Sequence, residues 1–329
     1  MKYKKVVVAG GGVLGSQIAF QSAYCGFDVT ILEVSEKSIP GVKNKLKNLY
    51  KFYIADLKKM KKKKVDEFWS RGLGKVETFD YENSLVRAKN AYDSIKIVCD
   101  QKESLKDADL VIESIIEDFG IKAGFYKQIA PLLPDKTVIV TNSSTLLPSK
   151  LSKFTGRPEK YLSLHFANTI WRNNIAEVMK HDKTNNKYFK EIIEFAEAIN
   201  MIPLAAKAEK SGYILNSMLV PFLLSGMDLL ANGISDAHTI DKAWTYGTGA
   251  PKGPFQIIDT VGLETAKNIV VQYQRVPNLL DPLLRKMMLP YNYDGMLRIL
   301  NEYIKKGKLG KSTKEGFYKW DDNGNFIDE

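Results

Sequence analysis

The feature that most constrains the fold lies near the amino end, where a short apolar segment runs directly into a cluster of glycines. Residues 4–9 are mostly β-branched and apolar, which is typical of a buried central strand, and Gly-Gly-Gly-Val-Leu-Gly follows at 10–15. The segment 13–24 carries apolar residues at helical spacing, Gly26 ends it, and 28–34 has the pattern of a second strand. This order predicts a β-α-β unit.

The glycine cluster fits the dinucleotide-binding pattern G-x-G-x-x-G. Gly10 suits the tight turn, Gly12 a close approach of the pyrophosphate and Gly15 the packing of helix on strand, while Val13 and Leu14 open the helix. Glu33 stands 18 residues after Gly15, at the end of the second strand, where a carboxylate can accept hydrogen bonds from ribose hydroxyls. A carboxylate would repel a 2′-phosphate, so the pattern favours NAD over NADP. FAD, or a plain glycine turn with a solvated Glu33, stays open as an alternative.

The remaining sequence divides into a strand-rich and a helix-rich part. Further strands are predicted at 95–99, 109–115, 137–141 and 161–166. Helical patterns are predicted at 212–231, 236–246, 262–274 and 292–306. We therefore predict an α/β fold with a Rossmann-type, mostly parallel sheet in a cofactor-binding domain at 1–205. An all-helical domain for substrate and dimerisation follows at 206–329.

A long helical pattern interrupts the sheet after the second strand. One apolar stripe is formed by Val42, Leu46, Leu49, Tyr53, Leu57 and Met60. With a second helix near 81–92, it predicts a protruding helical hairpin. Between residues 43 and 64 there are ten lysines and one acid, Asp56. Arginines with interleaved aromatic residues are missing there, so an acidic small substrate or a solvated helix face explains this charge better than nucleic acid.

Composition narrows the class further. With 329 residues, 44% of them hydrophobic, two domains can each bury a core. No stretch approaches the roughly 20 apolar residues of a membrane-spanning helix, and no signal-peptide pattern precedes the first strand, so we expect a soluble, cytosolic protein. Cys25 and Cys99 have neither metal-ligand spacing nor a disulfide framework, so we expect reduced thiols and no metal.

A second group of polar residues falls where predicted strands end. Asn142, Ser143 and Ser144 follow one strand, His165 ends the next, and Glu177 lies twelve residues later in a short strand-like run. A neutral histidine can take the proton of a substrate alcohol, and a carboxylate behind it fixes its tautomer. A structural histidine and ordinary turn residues are the alternative. A hydrolase triad is disfavoured because no G-x-S-x-G elbow is present.

The series of motifs resembles the 3-hydroxyacyl-CoA dehydrogenase family, and the 3-hydroxybutyryl-CoA dehydrogenases in particular, over nearly the entire chain. The motifs are Gly10 to Gly15, Val111-Ile112-Glu113 with Glu117-Asp118, Asn142-Ser143-Ser144, His165-Phe166-x-Asn168, Glu177-Val178, Gly212-Tyr213-Ile214-Leu215-Asn216, Gly253-Pro254-Phe255, Asp259-x-Val261-Gly262-Leu263 and Gly316-Phe317-Tyr318. Their order and spacing make the resemblance specific.

The resemblance implies roles for particular residues. His165 and Glu177 would form the catalytic dyad, and Asn216 would bind the 3-oxygen of the substrate. Ser144 would bind the same oxygen, because it lies 21 residues before His165, although Ser143 stays an alternative. The residues implied to bind the cofactor, besides the glycine motif, are Glu33, Glu113, Lys122 and Asn142. The resemblance also implies a homodimer, with an acyl-CoA whose phosphates could meet the lysines of residues 43–64.

The chain departs from the family pattern in several places. Thr169 stands where relatives commonly have proline, Ser211-Gly212-Tyr213 replaces Pro-Gly-Phe, and Asn216-Ser217 replaces Asn-Arg. Lys314 replaces a glycine, and extra length falls after about Gln274. These changes put the identity of the substrate in doubt.

We therefore predict NAD-dependent oxidation of an L-3-hydroxyacyl-CoA to the 3-oxoacyl-CoA, or the reverse. The nearest rival is a dehydrogenase of a free 3-hydroxy acid such as carnitine or a sugar acid, for which Arg172 could bind the carboxylate. A non-catalytic NAD-binding protein is the rival from another class, and the presence of Ser144, His165, Glu177 and Asn216 together argues against it.

Overall fold

The computed structural model describes residues 2–62, 65, 68–274, 291–321 and 326–327, and these form two compact units, Met1–Ile214 and Leu215–Glu329. The extra length expected after Gln274 falls mainly on 275–290, which lie outside the described residues. The predicted domain boundary at 205/206 stays a prediction.

The first unit is built on an eight-stranded sheet. In chain order its strands are β1 (Lys5–Ala9), β2 (Asp28–Leu32), β3 (Lys96–Val98), β4 (Leu110–Glu113), β5 (Val138–Thr141), β6 (Tyr161–Phe166), β7 (Ile175–Met179) and β8 (Ile202–Ala206). The spatial order is β3-β2-β1-β4-β5-β6-β7-β8. Strands β1 to β6 are parallel, and β7 and β8 run in the opposite direction. The predicted Rossmann-type, mostly parallel sheet is confirmed.

Seven helices accompany this sheet. They are α1 (Val13–Tyr24), α2 (Ile39–Lys62), α3 (Tyr81–Ser94), α4 (Gln101–Leu105), α5 (Phe119–Ile129), α6 (Pro148–Leu151) and α7 (Asn186–Ala198). Side chains of β1 and β4 are almost completely buried on both faces of the sheet, in two separate apolar clusters. This burial explains why these strands are continuous apolar runs rather than alternating ones.

The helical hairpin is present, but it is not a free projection. All six residues of the apolar stripe of α2 are buried, and they belong to the same core as α1 and β1. Both α2 and α3 pack against α1, because a stripe of this width is stable only when another element covers it. The predicted helical hairpin is thus confirmed, with its base held against α1.

Strand β8 is not anticipated by the hydropathy pattern. It contains Pro203, and its residues are half-buried or exposed. Strand β8 is the outer strand of the sheet, so a missing backbone donor and partial exposure are tolerated there. Its residues therefore lack the apolar alternation by which the other strands are recognised.

The second unit is mainly helical, as predicted. Its helices are α8 (Leu215–Ala231), α9 (Ala237–Thr248), α10 (Pro254–Val261), α11 (Leu263–Tyr273) and α12 (Tyr293–Lys305), and a two-stranded ribbon is formed by β9 (Lys319–Trp320) and β10 (Phe326–Ile327). Buried Asp259 accepts hydrogen bonds from the amides of Phe317 and Tyr318, both at 2.9 Å, and from Trp320 Nε1. Two of the motifs behind the resemblance thus hold this unit together.

No helix in the described ranges combines the length and apolar character that crossing a membrane requires. Nor do the described residues include a cluster of three or more histidine, cysteine, aspartate or glutamate side chains placed to hold a metal ion.

Both cysteines are free thiols, and Cys25 is expected to resist alkylation in the folded protein. Burial raises the pKa of the Cys25 thiol to about 12, against weaker opposing effects of Arg87 and Gln21. The thiolate is the reactive form, so at pH 8 iodoacetamide should modify Cys25 only after denaturation. Peptide mass spectrometry of native and denatured samples checks this. Equal labelling in both would show that the thiol is accessible in the native state.

Candidate active site

The glycine loop between β1 and α1 has the backbone geometry of a phosphate-binding turn. Gly10 has φ +95°, a conformation that favours glycine. A Cβ atom at Gly15 would lie 1.9 Å from the carbonyl oxygen of Gly10, whereas a Cβ at Gly12 would meet no atom within 4 Å. The helix begins with no side-chain cap and no acid in its first turn. Its first amides, which include those of Val13 and Leu14, therefore fit the pyrophosphate of a dinucleotide.

Glu33 follows β2 directly and lies beside this loop. Its Oε1 accepts a hydrogen bond from the amide of Gly11, and its Oε2 accepts one from Ser38 Oγ at 2.7 Å. The half-buried carboxylate is thereby fixed next to the glycines, at the place where a strand-end acid can read the adenosine ribose. The arrangement fits NAD, as the sequence predicts.

The dyad residues face each other across two antiparallel strands. His165 of β6 is in register with Glu177 of β7, and their side chains meet with Nδ1 3.0 Å from Oε2. The other ring nitrogen, Nε2, lies 3.1 Å from Ser144 Oγ. His165 is 5% exposed and Glu177 1%. The structure thus brings together three of the four residues predicted to be catalytic.

Hydrogen bonding assigns the tautomer of His165. Glu177 Oε1 accepts a hydrogen bond from the amide of Ile214 at 2.9 Å, which leaves Oε2 directed at the imidazole. A carboxylate only accepts hydrogen bonds, so Nδ1 carries a proton, and in the neutral imidazole Nε2 keeps its lone pair. This lone pair faces Ser144 and is able to accept a proton.

Glu117 decides between the two candidate serines. Its Oε1 accepts hydrogen bonds from Ser143 Oγ at 2.6 Å and from the amide and hydroxyl of Thr145 at 2.9 and 2.8 Å. Ser143 is therefore bonded away from His165, and Ser144 alone reaches the imidazole. Partial burial alone would raise the pKa of Glu117, but these bonds and the charge of Lys122 outweigh it and lower the pKa. In the sequence, Glu117 stands out only as part of the Glu117-Asp118 motif.

Glu113 and Lys122 form a buried pair, and their predicted contact with the cofactor stays a proposal. They are 0% and 1% exposed, and Lys122 Nζ donates a hydrogen bond to Glu113 Oε1. Glu113 Oε2 accepts bonds from Tyr126 and Thr141, both at 2.7 Å. Through these bonds the pair supports the carboxyl edge of the sheet. Only the residues after the strand ends, such as Glu117, are open.

Asn142 also has a structural contact. It is 8% exposed, and its Oδ1 accepts a hydrogen bond from the amide of Phe166 at 3.0 Å. This bond ties the residue after β5 to the last residue of β6. Asn142 thus fixes the spacing between the serine segment and His165, and its predicted contact with the cofactor stays a proposal.

Tyr213 belongs to the site, although the sequence singled it out only as a departure. Its ring stacks on the His165 imidazole with a centroid distance of 4.5 Å and an interplanar angle of 10°. Its hydroxyl donates a hydrogen bond to the carbonyl oxygen of Ser143 at 2.8 Å. The ring confines the imidazole to one plane. The dipeptide Gly212-Tyr213 was the available signal in the sequence, but the stacking depends on contacts between distant segments.

Asn216 and Arg172, two further residues that the sequence predicts for the site, do not belong to the group formed by Ser144, His165 and Glu177. Asn216 lies in the first turn of α8, in the second unit, and its role as a ligand of the substrate oxygen stays a proposal. Arg172 is engaged by Asp56, with Nε and Nη2 each 2.6 Å from a carboxylate oxygen. Its charge is thus compensated within the protein, which weakens its candidacy as a ligand for a substrate carboxylate.

Comparison with known proteins agrees with this geometry. Residues 5–209 match the family described as 3-hydroxyacyl-CoA dehydrogenase, NAD binding domain, and residues 212–320 match the 3-hydroxyacyl-CoA dehydrogenase, C-terminal domain. The mitochondrial hydroxyacyl-coenzyme A dehydrogenase of Homo sapiens is 29% identical over 96% of this chain and 91% of its own length. The 3-hydroxybutyryl-CoA dehydrogenase of Clostridioides difficile is 28% identical, over 96% and 99%.

A solved structure of a diketoreductase, described as performing substrate-directed dual catalysis of dicarbonyl compounds, is more similar in sequence. It is 41% identical, with a TM-score of 0.81, over 97% of this chain and 100% of that one. The likeness therefore extends over both units and includes relatives that are named for different substrates.

Proposed function

We propose that this protein interconverts L-3-hydroxyacyl-CoA and 3-oxoacyl-CoA. The chain belongs to the 3-hydroxyacyl-CoA dehydrogenase family and is an NAD-dependent oxidoreductase. The observation that carries this proposal is the continuous contact from Ser144 through His165 to Glu177. A proton acceptor, a carboxylate that orients it and a hydroxyl donor are the groups that oxidation of an alcohol requires.

In the oxidative direction, His165 Nε2 takes the proton of the 3-hydroxyl group. NAD, when bound, accepts the hydride from C3. Glu177 stabilises the imidazolium that forms, and the stacked ring of Tyr213 keeps the imidazole in line. Ser144 and, in our proposal, Asn216 donate hydrogen bonds to the 3-oxygen, where negative charge gathers during reduction.

Ser144→Ala is expected to lower kcat by about 10- to 100-fold, because one donor to the reacting oxygen is lost. Ser143→Ala is the matched control, since its hydroxyl is bonded to Glu117 and to the amide of Leu146. That variant should lose some thermal stability and keep most of its kcat. Steady-state kinetics and thermal melts distinguish the two, and equal losses of kcat would contradict the assignment of Ser144.

The lysines of α2 support binding of an anionic substrate only weakly. Lys43, Lys47, Lys51, Lys58, Lys61 and Lys62 are exposed and lie within a sector of about 100° on the helix surface, away from the apolar stripe. Lys45, which is half-buried, donates instead to the carbonyl oxygen of Gly11 at 3.2 Å. Each exposed contact with a CoA phosphate would contribute about 1 kcal/mol or less, so KM should rise with salt.

The test follows the oxidation of NADH at 340 nm with acetoacetyl-CoA as the substrate. Free acetoacetate replaces the thioester in one comparison, and NADPH replaces NADH in the other. The proposal predicts turnover with acetoacetyl-CoA and NADH, and at least about a tenfold lower kcat/KM for each alternative. Absence of turnover with the thioester in either direction, in a protein that binds NADH, would refute it.

A second candidate function is reduction of a dicarbonyl compound that carries no CoA. The 41% identity with the diketoreductase favours it, because the relatives named for acyl-CoA substrates cited above are 28–29% identical. The same dyad would serve. A diketo ester tested beside acetoacetyl-CoA distinguishes the candidates, since only the second candidate predicts the higher kcat/KM for the ester.

We also propose a homodimer, a cytosolic compartment and a domain boundary at 205/206. The family resemblance supports the dimer, and size-exclusion chromatography with light scattering tests it. The human relative is named as mitochondrial, so cell fractionation is the test of the compartment. A non-catalytic NAD-binding protein is not supported by the intact contact from Ser144 to Glu177.

A further inference from the structure

Asp56 is the only acid among the ten lysines of residues 43–64, and the proposed reaction gives it no part. It lies on the buried face of α2 and is 1% exposed. A carboxylate removed from water to this extent needs several donors to compensate its charge. Asp56 has four, none of them from its own helix.

The donors converge from two segments. Ser70 Oγ donates to Asp56 Oδ2 at 2.8 Å and Trp171 Nε1 at 2.9 Å. Arg172 donates through Nε to Oδ2 and through Nη2 to Oδ1, both at 2.6 Å, in the two-pronged geometry that guanidinium groups form with carboxylates. Three of the four bonds therefore hold two consecutive residues of one loop.

That loop, residues 167–174, joins β6 to β7 and therefore joins His165 to Glu177. It has a second anchor on α1, where Gln17 Oε1 accepts hydrogen bonds from the amides of Thr169 at 2.8 Å and Ile170 at 3.3 Å. Thr169 has φ +62°. A proline, which is common here in the family, could adopt neither this φ nor this hydrogen bond.

A loop with a residue in this strained conformation keeps it only when its surroundings enforce it. Here the side chains that enforce it are Gln17 on one side and Asp56 on the other, and the amide of Gly72 adds a hydrogen bond to the carbonyl oxygen of Trp171 at 2.9 Å. If the Asp56 contacts are lost, the connection between the dyad strands relaxes. Fewer contacts then restrain the distance between His165 Nδ1 and Glu177 Oε2.

We propose that Asp56 and Arg172 are positioning residues that hold the β6–β7 loop, and through it the alignment of the His165–Glu177 pair. This inference rests on the proposed function, because it assumes that the pair is the catalytic dyad. It also assigns a use to the acid within the lysine-rich helix. Arg172, in turn, serves as the partner of Asp56 and not as the ligand of a substrate carboxylate.

The experiment compares Asp56→Asn with Glu82→Gln in the full chain. Glu82 of α3 pairs at 3.2 Å with Lys61 of α2, the helix that carries Asp56. Because both side chains are exposed, Glu82→Gln is a matched control. Asp56→Asn should lower kcat with acetoacetyl-CoA by about tenfold or more, since small misplacements of reacting groups are costly, and should leave the KM for NADH unchanged. Glu82→Gln should leave both constants near those of the parent.

A second readout follows the dyad itself. The protein has three histidines, so the ring proton shared by His165 Nδ1 and Glu177 can be identified by NMR as the downfield signal absent in Glu177→Gln. The proposal predicts that this signal broadens through faster solvent exchange in Asp56→Asn and stays sharp in Glu82→Gln. Trp171→Phe removes the N–H donor to Asp56 together with part of the ring that packs against Phe52 and Tyr53. It should show a smaller change in the same direction, and it decides the question if Asp56→Asn does not fold.

An unchanged ring-proton signal in folded Asp56→Asn and Trp171→Phe overturns the proposal, whether or not kcat falls. Broadening in both variants supports it. Because the NMR comparison needs no substrate, it stays decisive even if the parent protein fails to reduce acetoacetyl-CoA. Failure of the proposed function is thus distinguished from failure of this inference.

Discussion

His165→Ala is expected to reduce kcat by about 10³-fold while the affinity for NADH changes by no more than about twofold. The variant loses the group that takes up the alcohol proton, and the glycine loop and Glu33 are untouched. Stopped-flow or steady-state assays at 340 nm give kcat, and fluorescence titration gives the NADH affinity.

His238→Ala is the control, because His238 is exposed and lies in the second unit. It should retain the parent kcat. If His165→Ala kept more than a tenth of the parent kcat, the assignment of the dyad would be wrong, whatever the substrate.

Gly12→Ala is expected to weaken NADH binding by at least about tenfold, or about 1.4 kcal/mol, with little loss of thermal stability. A methyl group at Gly12 meets no protein atom within 4 Å, and the backbone there has an ordinary φ of −61°. The methyl group would instead occupy the space in front of the first amides of α1, where the pyrophosphate is expected.

Gly15→Ala provides the contrast. Its Cβ would lie 1.9 Å from the Gly10 carbonyl oxygen, so this variant should lose folding stability as well as cofactor binding. Isothermal titration with NADH and thermal melts distinguish the two effects. Unchanged NADH affinity in Gly12→Ala would place the cofactor elsewhere.

The features that the sequence predicts well are those encoded over short distances. The strand before Gly10, the helix 13–24 and the strand 161–166 agree with the sequence prediction to within a residue, because each is a largely apolar run with glycines or polar residues at its ends. The contact between His165 and Glu177 could also be expected, since the two strands are consecutive and joined by a short loop.

The features that the sequence does not predict depend on contacts between distant segments. Asp56 and Arg172 are 116 residues apart, and the charge pattern alone indicates a solvated lysine helix. Glu113 shows the same limitation, because its position at the end of a strand resembles that of a ligand residue. Only the three-dimensional arrangement shows that Lys122, Tyr126 and Thr141 enclose it.

The central claim is that hydride passes between NAD and C3 of the substrate beside His165. The most direct measurement is transfer of deuterium to acetoacetyl-CoA from NADH that carries deuterium at both C4 positions of the nicotinamide, followed by NMR of the product. The account predicts one deuterium at C3 of 3-hydroxybutyryl-CoA for each NADH oxidised, and about 10³-fold slower labelling with His165→Ala. Oxidation of NADH without label at C3 would contradict it.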